Sequence, residues 1–198
     1  MYLKSMKRII VTRLILAVFV AGAFAYITIS KIYQEAMEDL EAGRRAEARK
    51  KFEKILTISK THSLSDNAQY WIGETYFDDG LSYDTLGDTV NARRSYKKAV
   101  EAFRAVFNFT DRETPKYMDA AYKIALTYFR MGEFEKAYYE AVKFIAFYPE
   151  SKNVPQAREL IAKIRGKQVA RTDSLPANLP DTLKPSRPDT TRETPKTQ

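Results

Sequence analysis

Apolar residues in the middle of the chain recur at helical spacing, in blocks separated by glycine. Trp71, Ile72, Thr75 and Tyr76 fall on one side of a helix. Asp66, at the head of this block, stands where a capping carboxylate accepts the free amide protons of a first turn. Residues 66–76 read DNAQYWIGETY, and Gly73 is the small residue at which a second helix can approach closely. A helix with this much apolar surface requires an antiparallel partner behind it and another hairpin beside it.

The same grammar appears on either side. An earlier block starts near Ser30 with Tyr33, Ala36, Met37 and Leu40, breaks at Gly43, and resumes with Ala48, Phe52, Ile55 and Leu56. A later one runs through Ile124, Ala125 and Tyr128, turns at Gly132-Glu133-Phe134, continues with Ala137 and stops at Pro149. These spacings fit the tetratricopeptide pattern of two helices per repeat. The middle block is longer. With Ala99, Phe103 and Val106 as its second-helix core, Tyr76 and Ala99 are 23 residues apart, against nine for Tyr128 and Ala137. The surplus of 14 divides into seven per helix, about two turns each, which keeps the buried face in place. The pattern therefore predicts an extended first helix over 77–86 and an extended second helix over 89–109. Gly87 falls in the turn, Asp88 at the cap, and Leu81 and Leu86 against Val90, Tyr96 and Ala99. A loop around residues 78–88 is the competing reading. Pro155 is placed to start a last helix through Ala157, Leu160, Ile161 and Ile164, capping the open end of the array. The expected fold is all-α: three helical hairpins, the middle one extended, plus a capping helix, over residues 30–165.

The ends differ from this centre. Lys4, Lys7, Arg8 and Arg13 precede an apolar run from Leu14 to Ile29. Residues 1–29 read either as a secretory signal with an A-x-A site at Ala23-Phe24-Ala25, or as an uncleaved anchor. The anchor would count 21 residues from Ile9 to Ile29, enough to cross the inner membrane, with Ile27 and Ile29 lengthening the run. Either way the basic flank sends the rest of the chain out of the cytoplasm. Residues 166–198 carry five prolines, six threonines and no aromatic residue, the composition of a disordered tail.

Charge and composition narrow the chemistry. Lys and Arg outnumber Asp and Glu by 33 to 25, but residues 31–165 hold 23 basic against 21 acidic side chains. Most of the excess sits at the ends, so the centre lacks the focused positive field of a nucleic-acid binder. There is no cysteine and one histidine, His62, which reads as a loop or cap residue. No phosphate-cradling glycine loop, metal-ligand spacing or catalytic constellation is present. Asp78, Asp79, Asp84 and Asp88 match no calcium-loop spacing. An enzyme, a cofactor, a metal site and a small-molecule substrate are not expected. The basic clusters Arg44, Arg45, Arg49, Lys50, Lys51, Lys54 and Arg93, Arg94, Lys97, Lys98 read as solvated outer faces, or as contacts to anionic lipid headgroups.

The fifth position of each first helix is tyrosine: Tyr33, Tyr70 and Tyr122. The twelfth is Leu40, Phe77 or Phe129, with Asn67 and Glu74 on the middle helix and Arg130 on the last. Rings supply contact area at low entropy cost and polar tips fix register, so this set suits a protein or peptide partner in a concave groove. Packing of the rings against neighbouring helices is the alternative.

With Tyr33-Gln34-x-Ala36, Ala48-x-x-x-Phe52, residues 66–76, Phe103-x-x-Val106 and Gly132-Glu133-Phe134-x-Lys136-Ala137 through Tyr148-Pro149 in view, the chain resembles the periplasmic tetratricopeptide proteins of the YbgF/CpoB type. That resemblance spans about residues 31–165. It implies a non-enzymatic adaptor of the Tol-Pal system that couples outer-membrane constriction to cell-wall synthesis at division. An anchored, chaperone-like protein similar to YfgM, and a BamD-like outer-membrane assembly component, are the alternatives.

Overall fold

The computed structural model describes residues 12–15, 27–109 and 114–173. Among these residues there are helices and turns and no strand. Helix α1 covers 27–41. It is followed by α2 (Arg45–Ile58), α3 (Ser65–Thr85), α4 (Thr89–Ala105) with a 3-10 turn (Val106–Asn108), α5 (Pro115–Arg130), α6 (Phe134–Phe147) and α7 (Val154–Asp173). Residues 12–15 are also helical.

One turn geometry closes all three hairpins. Gly43, Gly87 and Gly132 have φ of 74°, 75° and 74°, a left-handed conformation that costs a side-chain-bearing residue but not glycine. The amide after each glycine bonds back to the carbonyl five residues earlier: Arg44 to Asp39, Asp88 to Tyr83 and Glu133 to Tyr128, at 2.8, 2.9 and 3.0 Å. This is the Schellman closure, which satisfies the last carbonyls of the first helix. Asp88 then caps α4, its Oδ1 accepting from the Asn91 amide at 3.0 Å.

The extended hairpin forms as two continuous helices, and no loop interrupts residues 78–85. Gly80 lies four residues after Tyr76, as Gly132 lies four after Tyr128, yet the helix reads straight through it. A Cβ on Gly73 would sit 2.5 Å from the Phe103 ring, and a Cβ on Gly80 would overlap the Tyr96 ring. Tyr70 packs on Phe103 with centroids 5.6 Å apart, and seven residues on Phe77 packs on Tyr96 at 5.7 Å. The insertion thus repeats the contact of the parent repeat one heptad outward. Seven residues are nearly two turns, so the copied residues fall on the same face.

Leu81 joins this core, and Tyr96 and Ala99 are buried as expected. Leu86 and Val90 are not: they are 78 % and 69 % exposed. They lie at the arm's last turn, about 10 Å past the neighbouring turns, where no other hairpin buries them.

Three further expectations shift. The first amides of α3 are served differently from the expected Asp66 cap: α3 starts at Ser65, His62 Nδ1 accepts from the Leu64 amide at 3.1 Å, and Asp66 binds the Asn67 amide. Ile29 is 1 % exposed and packs with Ile32, Ala36, Phe52 and Ile55. It therefore belongs to the first hairpin's core, and the domain begins before residue 30. Helix α7 also continues beyond 165 to Asp173, because Lys167-Gln168-Val169-Ala170-Arg171 carries no helix breaker.

The chain divides into a unit ending at Ile164 and a second from Arg165. The second is described only as the end of α7; the remainder of the expected tail lies outside the described residues. So does most of the expected signal or anchor, residues 1–11 and 16–26. Among the described residues no helix is long and apolar enough to cross a membrane.

Candidate partner-binding face

The three tyrosines occupy one structural position. Tyr33 meets Phe52 edge-on at 5.6 Å, Tyr70 meets Phe103 at 5.6 Å, and Tyr122 meets Phe144 at 5.9 Å. Each ring on a first helix packs on the second helix of its own hairpin. Tyr33 and Tyr122 remain half-buried, whereas Tyr70 is 6 % exposed. The Tyr33 hydroxyl accepts from Trp71 Nε1 at 3.0 Å, linking α1 to α3. Phe129 is half-buried against Phe134, and Phe77 is buried.

Two lysines from α5 explain why the middle of the ladder is closed. Lys116 Nζ lies 4.4 Å from the Tyr70 ring centre, and Lys123 Nζ lies 4.7 Å from that of Phe77. Lys123 also pairs with Glu74 Oε2 at 2.7 Å. Burial pushes the Glu74 carboxyl above its ordinary range, and Lys123 pulls it part of the way back. Burial likewise raises the Tyr70 hydroxyl, with Glu74 and Asp119 adding to the effect. The signal for these lysines was in the spacing: Lys116 and Lys123 are seven apart, as are the rings they cover.

Asn67 stays half-buried on the first turn of α3, near these groups in sequence but without a side-chain hydrogen bond to them. Arg130 goes elsewhere. It is exposed at the end of α5, beside Arg93, Arg94 and Lys97 of α4.

The first basic cluster is not the solvated face expected. Arg44 and Lys51 hold the buried Asp39 at 2.6 and 2.7 Å. Arg45 and Arg49 both pair with Asp79, across the α2–α3 contact. The Arg49 guanidinium also lies 3.7 Å over the Tyr76 ring, and its Nε donates to Thr75 Oγ1. Arg45 and Arg49 thus join the first hairpin to the second, while Arg44 and Lys51 tie α2 to α1 within the first. Arg44, Lys50 and Lys54 are exposed, and of these three Arg44 is held by its ion pair to Asp39.

Stacked hairpins with a repeated ring contact, a repeated glycine turn and a first-helix face of rings and paired charges define a helical-repeat interaction scaffold. The tetratricopeptide repeat family matches residues 119–151, which comprise most of α5, the turn and α6. No curated protein gives a significant match to the chain.

Proposed function

We propose that the protein is a non-enzymatic scaffold working outside the cytoplasm, and that it holds a protein partner along the first-helix face of α1, α3 and α5. The role is that of a cell-envelope coordinator of the Tol-Pal-associated kind. The observation that carries the docking face is the lysine cover over Tyr70 and Phe77. A flexible cation over a ring is exchangeable without backbone movement. A partner's apolar side chain can take the ring while its carboxylate takes the ammonium. Tyr33, Tyr122 and Phe129 leave part of each ring at the surface on either side of that cover, and Asn67 and Glu74 supply polar contacts between them.

Crosslinking of the exported protein in intact cells identifies the partner, and variants then test the face. Tyr122→Ala and Lys116→Glu are expected to weaken partner capture while the helical signal is retained. Capture unchanged by both substitutions would remove the face from consideration. A topology reporter fused after Gln198 tests the compartment, and activity only in the cytoplasm overturns the extracytoplasmic assignment.

An anchored, chaperone-like scaffold of the YfgM kind is the second reading. It is favoured by Leu14 and Ile15, apolar residues of a helical turn that are 62 % and 52 % exposed. N-terminal sequencing separates the two, since a mature chain starting at Tyr26 removes the anchor.

A further inference from the structure

The long middle hairpin creates a notch that an ordinary repeat would lack. Because α3 and α4 run two turns past the α5–α6 turn, the added part of α4 overhangs the end of α5. The cavity between them has a volume of about 630 Å³. Arg93, Arg94 and Lys97 line it from α4, and Arg130 lines it from α5. Arg93 is committed, with Nη2 pairing to Glu133 at 2.5 Å and Nη1 reaching the Met131 carbonyl. Among the described residues, Arg94, Lys97 and Arg130 form no ion pair within 4.0 Å.

The nearby acids are already engaged. Asp84, on the notch wall, accepts from the Tyr96 hydroxyl at 2.5 Å. Glu133 is shared by Arg93 and Lys136, and Asp88 caps α4. Three cations therefore converge on one space whose own carboxylates are occupied. Val90 lines the same space and is largely exposed, with Leu86 beyond it on the arm.

We propose that this notch docks an acidic segment of a protein partner. Its carboxylates seat between Arg94, Lys97 and Arg130, and an aliphatic neighbour covers Val90. Charge complementarity selects the anion, and the adjoining apolar surface selects a protein segment over a bare phosphate. An anionic membrane fits less well: Asp84 and Asp88 flank Leu86 at the tip and would have to leave water for the tip to insert. The notch uses a different set of side chains from the first-helix face, so either site can fail without the other.

The test uses the full-length protein in neutral detergent and a fluorescein-labelled peptide built from Glu, Leu and Gly. Companion peptides replace Glu with Gln or with Lys. Binding is followed by fluorescence anisotropy. The Glu peptide is expected to bind, more weakly as salt is raised, and Arg94→Glu/Arg130→Glu is expected to weaken it on the order of tenfold. The same double variant should gain affinity for the Lys peptide. Lys50→Glu/Lys54→Glu, which changes net charge equally on exposed positions of α2, should leave Glu-peptide binding unchanged. Retained helical circular dichroism shows that the variants fold, and Arg94→Gln/Arg130→Gln is a milder substitution with the same expected direction. The proposal is overturned if the Glu peptide fails to bind, if the Gln peptide binds as well, or if the α2 control loses as much affinity. It is also overturned if phosphatidylglycerol vesicles sediment the protein in an Arg94- and Arg130-dependent way while the Glu peptide gives no anisotropy change that depends on those residues.

Discussion

Gly80→Ala should destabilise the protein, and should do so because of one ring. Alanine is the better helix former by about 1 kcal/mol, so on an open helix the change would help. In the folded hairpin the added methyl overlaps the Tyr96 ring. That ring cannot move aside: it is 1 % exposed, packed on Phe77 at 5.7 Å, and tied through its hydroxyl to Asp84. Overpacking of such a contact costs roughly 1–3 kcal/mol, which leaves a net loss of about 1 kcal/mol after the propensity gain. Tyr96→Leu removes the obstacle, at a cost of its own of about 2–4 kcal/mol for the emptied space. In that background Gly80→Ala has only its propensity effect and should stabilise by up to about 1 kcal/mol. The four proteins of this cycle are compared by urea denaturation followed by far-ultraviolet circular dichroism. A sign change between backgrounds is the signature of direct contact. The same effect in both, of either sign, would refute the close approach of α3 and α4 at this level.

Other expectations follow from single contacts. Trp71→Phe removes the bond to Tyr33 that links α1 to α3 and should lower stability by about 1 kcal/mol; an unchanged urea midpoint would mean that the bond contributes nothing. Thr114→Ala removes the cap whose Oγ1 accepts from the Tyr117 amide, with an expected loss of about 1 kcal/mol that Thr114→Ser should largely restore. Hydrogen bonds from Lys51 and then Arg44 hold the Asp39 carboxyl below its ordinary value of 3.8. Its stabilisation is present above that value and lost as pH falls through the lower folded-state value, so Asp39→Asn should flatten the acid limb of the stability curve. Glu74 has the opposite sign. Burial raises it above 4.5, so its contribution declines as pH rises from there through the folded-state value, and Glu74→Gln should remove that decline.

The repeat grammar was readable because each of its rules is local. Gly43, Gly87 and Gly132 mark the turns, Ala48 and Phe52 mark a second helix, and a surplus of 14 residues divides evenly without moving a face. What sequence spacing does not carry is what stands next to a residue in space. Leu86 and Val90 have the periodicity of core residues, but their level of the arm has no neighbour to bury them. Tyr70 sits where exposed groove residues sit in the pattern, and becomes buried because Lys116 and Lys123 of the following hairpin close over it and Phe77. Gly80 carries no signal of its own in the spacing, and only its approach to Tyr96 reveals it as a second close contact. The continuation of α7 was hidden by composition: the prolines that dominate the tail begin at Pro176, and the residues just before them are ordinary helix formers.

A hairpin that grows by one heptad in each helix behaves like a telescope. Excising residues 77–83 together with 92–98 would bring Gly87 four residues after Tyr76 and Ala99 five after Gly87, the spacings of the third hairpin, with the Gly73–Phe103 contact left whole. Sliding out a further section is as simple on paper, but each heptad falls about 20° short of whole turns. A longer barrel would have to coil to keep its seam closed, and reach beyond the present length would come with twist.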